Sequence, residues 1–162
     1  MSRSPGAARA LADPAAGSIV ATVEIAASPE RIFAALTTPE VAQWWGSADT
    51  YRIQRWQMDL RVGGKWRSEG VSIDGHPFTV HGEVLELDPP RLLTHSWQYD
   101  WDGGGHTVVR YEIQPLEHGA RVTVRHTGFP PYSEACKSHG SGWERVLGWL
   151  SGHLDSFSGA AR

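Results

Sequence analysis

Residues 107–128 read TVVRYEIQPLEHGARVTVRHTG. Two alternating runs flank a turn signal at Glu117-His118-Gly119. In the first run Val109, Tyr111 and Ile113 share one face, opposite Arg110 and Glu112. In the second, Val122, Val124, His126 and Gly128 share a face opposite Arg121, Thr123, Arg125 and Thr127. A period of two is that of a strand with one buried face. The apolar set must point inward, and His126 is carried in with it. A short turn between such runs predicts an antiparallel hairpin.

The same pattern extends upstream. Strands are predicted at residues 51–57, 65–71, 78–87 and 92–99, ahead of 107–114 and 121–128. The breaks are Gly63-Gly64, Asp74-Gly75, Asp88-Pro89-Pro90 and the stretch from Asp100 to His106, all good turn chemistry. In 65–71, Trp66 and Ser68 oppose Lys65, Arg67 and Glu69. In 92–99, Leu93, His95, Trp97 and Tyr99 share one face and Thr94, Ser96 and Gln98 the other, and both sets suit an interior. An earlier strand spans 18–26, with Ile19, Ala21, Val23 and Ile25 on one face.

Helices bracket this β region. Ser28-Pro29-Glu30 combines an N-cap hydroxyl, a first-turn proline and a first-turn acid. Thr38-Pro39-Glu40 repeats the signal and leads to Val41, Trp44 and Trp45, with Gly46 as the stop. At the end of the chain Trp143, Val146, Leu147, Leu150, Leu154 and Phe157 recur with helical period. That helix starts at Ser141, as a capping box, or near Ser133. The architecture expected is α+β: a curved antiparallel β-sheet, two short helices after its first strand, and a long C-terminal α-helix covering the concave face.

Composition sets the bounds. The 162 residues suit a single domain with a real core. Residues 1–17, rich in Ala, Gly, Pro and Ser, are expected to be a loose tail, 18–158 the domain and 159–162 a frayed end. With one cysteine there is no internal disulfide, and a reducing cytoplasm is expected. A net charge of −3 argues against a nucleic-acid partner. No apolar run approaches the ~20 residues of a membrane span, and no secretory signal is evident. Eight tryptophans are the anomaly, since such large rings need a large core or a cavity to line.

The arrangement resembles the helix-grip fold of the SRPBCC (START-like) superfamily, and within it the branch named for the activator of the heat-shock protein 90 ATPase. The residues carrying the resemblance are Ser28-Pro29 with Leu36, the Thr38-Pro39-Glu40 start, Trp44-Trp45-Gly46 and Asp59 to Gly64. Gly82 to Glu86 leading into Asp88-Pro89-Pro90, Leu93 to Trp97, His126 to Phe129, His139 and Gly142-Trp143 complete it. The resemblance implies a helix laid over a curved sheet with an interior cavity. Its superfamily spans lipid carriers, cyclases and chaperone cofactors, so the fold alone does not select a function.

Strand parity then names the lining. Trp66, Tyr111 and His126 face the interior, joined by Trp97 and Tyr99 from the ambiguous strand. Trp143 and Leu147 descend from the helix, His139 sits near its start, and Trp44 and Trp45 stand at an entrance. Trp56 and Trp149 read as packing alone. An apolar pocket with a few placed donors is the usual form of a small-molecule site. His126, His139 and Tyr111 are the candidates for acid–base chemistry. A Cys136-His139-His126 metal site lacks a fourth ligand, and neither a phosphate loop nor any cofactor motif is present. Gly103, Gly104 and Gly105 are read as a lid loop.

The leading function is non-catalytic binding of a hydrophobic, aromatic or polycyclic molecule by a monomer or homodimer. The resemblance implies three alternatives. One is a polyketide cyclase or aromatase. Another is a self-sacrifice protein conferring enediyne-antibiotic resistance, with a glycine Cα–H as hydrogen-atom donor. The last is a co-chaperone stimulating the heat-shock protein 90 ATPase.

Overall fold

The computed structural model describes residues 7–101 and 103–160, with side chains described through Asp155. Eight strands form one antiparallel sheet: β1 (Arg9–Asp13), β2 (Ser18–Ile25), β3 (Tyr51–Met58), β4 (Lys65–Ser72), β5 (Pro77–Asp88), β6 (Leu92–Tyr99), β7 (Gly105–Leu116) and β8 (Gly119–Thr127). Their spatial order is β1-β2-β8-β7-β6-β5-β4-β3. Helices α1 (Pro29–Thr37) and α2 (Val41–Trp44) link β2 to β3, and α3 (Glu134–Ala160) closes the chain. This is the α+β arrangement expected from the alternation, and the helix-grip fold that the resemblance implies.

The local signals act as their chemistry dictates. Ser28 caps α1, its hydroxyl accepting from the Arg31 N–H at 3.1 Å, with Pro29 in the first turn. Ser133 plays the same part for α3, accepting from the Cys136 N–H at 3.1 Å. The long helix therefore takes the earlier of its two candidate starts. The β7–β8 hairpin keeps the register its alternation requires, Tyr111 opposite Val124 and Ile113 opposite Val122. The outward charges pair across strands, as in Glu24–Arg121 at 2.8 Å and Glu112–Arg125 at 3.1 Å.

Two stretches depart from the expectation. Residues 9–13, inside the stretch read as a loose tail, form β1 and pair with β2 from Arg9–Thr22 to Asp13–Ser18. Helix α3 rests against this strand: a Cβ on Gly140 would lie 3.2 Å from that of Ala12. Residues 159 and 160, read as frayed, belong to α3. Beside the stretch expected as a lid, the Gly104 N–H donates to the Trp101 carbonyl at 2.9 Å and Gly105 pairs with Tyr99. Gly103 and Gly104 adopt φ of 87° and 74°, which explains the residue type. Residues 1–6, 102, 161 and 162 of the expected tail, lid and frayed end lie outside the described residues.

Helix α3 approaches β2 and β1 most closely. Trp143, Val146, Leu147, Leu150 and Leu154 of its stripe are buried, and the Phe157 side chain lies outside the described residues. No helix among the described residues is long and apolar enough to cross a membrane.

Candidate functional site

Between α3 and strands β3–β6 lies a cavity of about 520 Å³. Its interior is walled by Trp45, Trp56, Trp97 and Trp143, with Ser68 and His139 among the buried polar residues. Exposed His76, Asp100 and Arg145 stand at its rim. The indoles form a continuous set. Trp45 stacks on Trp56 and Trp97, with centroids 5.8 and 6.2 Å away, and meets the edge of Trp143 at 5.8 Å. Trp66 backs them, 5.0 Å from Trp56 and 5.5 Å from Trp97.

Trp56 reaches this wall through an irregularity. Simple alternation puts residues 53 and 56 on opposite faces. The β3–β4 register shifts between Ile53 and Arg55, so Ile53 and Trp56 both turn inward and line the cavity. Trp56 was read from the sequence as packing alone and is here a wall of the cavity. Trp101, from the β6–β7 turn, also lines it and stacks on His139 at 5.5 Å with the rings 12° apart.

The expected site residues divide. Trp45, Trp97, His139 and Trp143 line the cavity. Trp66 lies behind Trp56 and donates to the Ser96 carbonyl at 2.8 Å. Gly82 makes this reach feasible, since a Cβ there would come 2.6 Å from the indole nitrogen. Trp44 is buried with its N–H on the Ala35 carbonyl at 3.0 Å. Tyr99 lies across Gly105, where a Cβ would meet its hydroxyl at 2.5 Å. Tyr111 packs at the edge of Trp143, and Leu147 is wholly buried in the core. Gly103, Gly104 and Gly105 are not part of the lining, whereas the neighbouring Asp100 and Trp101 are.

His126 is enclosed in a chain of hydrogen bonds. The Trp143 indole N–H donates to Nδ1 at 2.9 Å, which leaves the proton on Nε2. That nitrogen donates to Thr107 Oγ1 at 2.7 Å, and the Thr107 hydroxyl donates to the Trp97 carbonyl at 2.9 Å. Burial, reinforced by His139 and His95, holds His126 far below the usual imidazole range, so the ring is neutral. Both nitrogens are engaged inside the protein. His139 donates from Nδ1 to the Ala135 carbonyl at 2.8 Å, one helical turn back.

Burial also drives the Tyr111 phenol well above its ordinary pKa. Cys136 points its thiol at the Ser18 carbonyl, and burial, then Asp13, raises its pKa, so it is neither a ready nucleophile nor a ready ligand. Among the described residues no group of three or more His, Cys, Asp and Glu is placed to hold a metal ion.

Sequence reasoning passed over His95. It is fully buried, touches Trp66 and Tyr111, and donates from Nδ1 to the Ser96 carbonyl at 3.0 Å. Burial pushes its pKa down to about 4.

With this geometry in hand, the comparisons with known proteins are specific about family. The model of the family described as Activator of Hsp90 ATPase homolog 1-like protein matches residues 26–155. Among solved structures, a Rhodobacter sphaeroides protein superposes with a TM-score of 0.77 at 25% identity, over 91% of this chain and 99% of that one. The AHSA1 protein of Silicibacter pomeroyi gives 0.71 at 28% identity, over 85% and 97%. CalU16 of Micromonospora echinospora gives 0.65 at 25% identity, over 91% and 81%. No curated protein matches the sequence.

Proposed function

The chain belongs to the family described as Activator of Hsp90 ATPase homolog 1-like protein, and on that premise we propose that it binds a hydrophobic, aromatic small molecule in the cavity under α3 without transforming it. The observation carrying this reading is the cavity of about 520 Å³ whose lining includes five indole rings together with Tyr51 and Phe78. That volume falls within the range of small-molecule sites, and flat aromatic walls favour flat aromatic guests. The non-catalytic part rests on His126, whose two nitrogens are already spent on Trp143 and Thr107. A cyclase would need His126, His139 and Tyr111 at one substrate, yet only His139 of the three lines the cavity. A self-sacrifice mechanism would need the Gly103–Gly105 turn at the bound molecule, and those glycines stand outside the lining. The single buried thiol agrees with action in a reducing cytoplasm.

Gly142 supplies the test. It lines the cavity from α3, and a Cβ there meets nothing within 4 Å. Gly142→Leu therefore puts a side chain into the cavity and reduces the room for a guest while improving helix propensity. Anthracene-2-sulfonate should raise the melting temperature of the unaltered protein in a concentration-dependent way. The variant should fold at least as stably and lose that shift. An undiminished shift in Gly142→Leu would place binding elsewhere and overturn the reading.

The family description favours a second reading, stimulation of the heat-shock protein 90 ATPase. Measured ATPase rates with and without the protein decide it. Stimulation that survives Gly142→Leu would make that activity independent of the cavity.

A further inference from the structure

A run of aromatic side chains that begins and ends on α3 borders the mouth of the cavity. Trp149 of α3 meets Tyr51 of β3 with centroids 5.8 Å apart, and Tyr51 meets Phe78 of β5 at 5.6 Å. Phe78 meets Trp101 at 5.9 Å, and Trp101 stacks on His139, back on α3. Between His139 and Trp149 the helix presents Gly142 and Arg145 to the cavity, three residues apart on one face. Gly142 leaves space there, and Arg145 sets a cation beside it. Arg145 is exposed, so a molecule seated in the mouth can reach it.

Arg145 stands apart from most arginines of the molecule. Seven of them pair with carboxylates, from Arg31 with Glu40 to Arg125 with Glu112. Arg9, Arg52, Arg55 and Arg145 have no such partner among the described residues, and of these four only Arg145 lines the cavity. Its charge is felt at the cavity wall. Burial raises the Tyr51 phenol pKa, and the Trp45 N–H and then the Arg145 charge draw it back. The other titratable groups of the rim have neighbours of their own. His76 Nδ1 lies 2.9 Å from the Asp74 carboxylate. Asp100 also borders a depression on the outer face of the sheet, beside Arg67, His81 and His106.

Interior and mouth therefore ask for different chemistry. The buried part of the lining holds no lysine, arginine, aspartate or glutamate. An ionised group of a guest is costly there, while a flat apolar body suits the indoles. At the mouth water still solvates a charge, and a guanidinium offers paired donors that match the two oxygens of a carboxylate.

We propose that the cavity selects aromatic acids, taking the planar hydrocarbon body between its rings and pairing a carboxylate at the outer end with Arg145. This rests on the binding function proposed above and specifies the chemistry of its ligand.

Anthracene-2-carboxylate and anthracene-2-carboxamide share one outline and differ by one charge. Fluorescence titration at low salt and about pH 7.5 should show the carboxylate binding about five-fold tighter, as one partly screened ion pair implies. Arg145→Gln should bring the ratio to about one by weakening the carboxylate and leaving the carboxamide unchanged. Arg52→Gln removes an exposed, unpaired arginine that does not line the cavity, and should leave the ratio as it is. The comparison in the unaltered protein needs no variant to fold. Equal affinities there, or a preference for the carboxamide, overturn the selection of acids and leave aromatic binding standing. Failure of both probes to bind overturns the binding function itself, and the proposal with it. A ratio preserved in Arg145→Gln, or narrowed as much by Arg52→Gln, overturns the assignment to Arg145.

Discussion

The two halves of the sheet differ under α3. Across β2, β8 and β7 the inner face carries Ile19, Ala21, Val23, Val122, Val124, Val109 and Ile113, all essentially inaccessible, and α3 lies closest on this side. Across β3 to β6 it carries Trp56, Trp66, Ser68 and Trp97; Trp97 meets His139 and Trp143 of α3, and a cavity lined by Trp56, Ser68 and Trp97 opens beside that contact. Branched aliphatic side chains interlock at close distance. Broad flat rings cannot fill the same volume from one side only, so space remains between them and the helix. One half holds the fold together and the other leaves room for a guest. The polar bookkeeping follows the same line, since the unpartnered indole donors lie on the cavity side.

The contrast can be broken most severely in the dry half. Leu150→Ala, at a fully buried position, should cost about 2–5 kcal/mol by urea unfolding and leave probe affinity unchanged in whatever fraction stays folded. A cavity-side pair sharpens the comparison. Trp66→Phe removes one of the two donors, with His95 Nδ1, that meet the Ser96 carbonyl, so it should cost about 0.5–1.5 kcal/mol more than Trp56→Phe, which removes a donor that serves nothing among the described residues. If the two variants prove equally stable, the division of the indoles into satisfied and unsatisfied is wrong.

Acid tests the wall from behind. His95 sits at a folded pKa of about 4 against 6.5 in the unfolded chain. The unfolded state therefore takes up the proton first as pH falls. The stability is complete above about pH 6.5 and is lost on the way down toward 4. Between pH 7 and 5 this amounts to roughly 2 kcal/mol from His95, and His126 adds in the same direction. Chemical denaturation at each pH measures it, and His95→Gln should flatten the slope whatever it does to the absolute stability. The smallest effect belongs to a site far from either half: Ser28→Ala removes the α1 cap for about 1 kcal/mol without altering probe binding.

Legibility varied with the range of the interactions involved. The β4 alternation put Trp66 and Ser68 inside, and both are buried. The Trp143-to-Leu154 period marked the buried stripe of α3. Trp56 escaped because the register shift in β3 breaks the two-residue period just ahead of it. Strand β1 escaped because Arg-Ala-Leu-Ala-Asp lacks β-branched residues and becomes a strand only by pairing with β2 under α3. His95 sat on a strand where both faces are buried, which left no polar side to identify the inner one. The tie from Arg31 and His153 to Glu40 joins residues as much as 113 positions apart, and no local pattern announces it.

By itself the sequence determined seven of the eight strands, the helices, their order and, where the alternation is unbroken and one face is polar, the side of a strand that turns inward, because periods of 2 and 3.6 are properties of neighbouring residues. Only the tertiary structure decided which indole N–H meets an acceptor. Trp66 finds the carbonyl of a residue 30 positions away, and Trp143 finds a ring 17 positions back. Trp56 and Trp97 find none among the described residues. A hydrogen bond depends on distance and direction between atoms that the chain brings together only on folding. The tryptophan excess was therefore visible from the start, but its division into paired and unpaired donors was not.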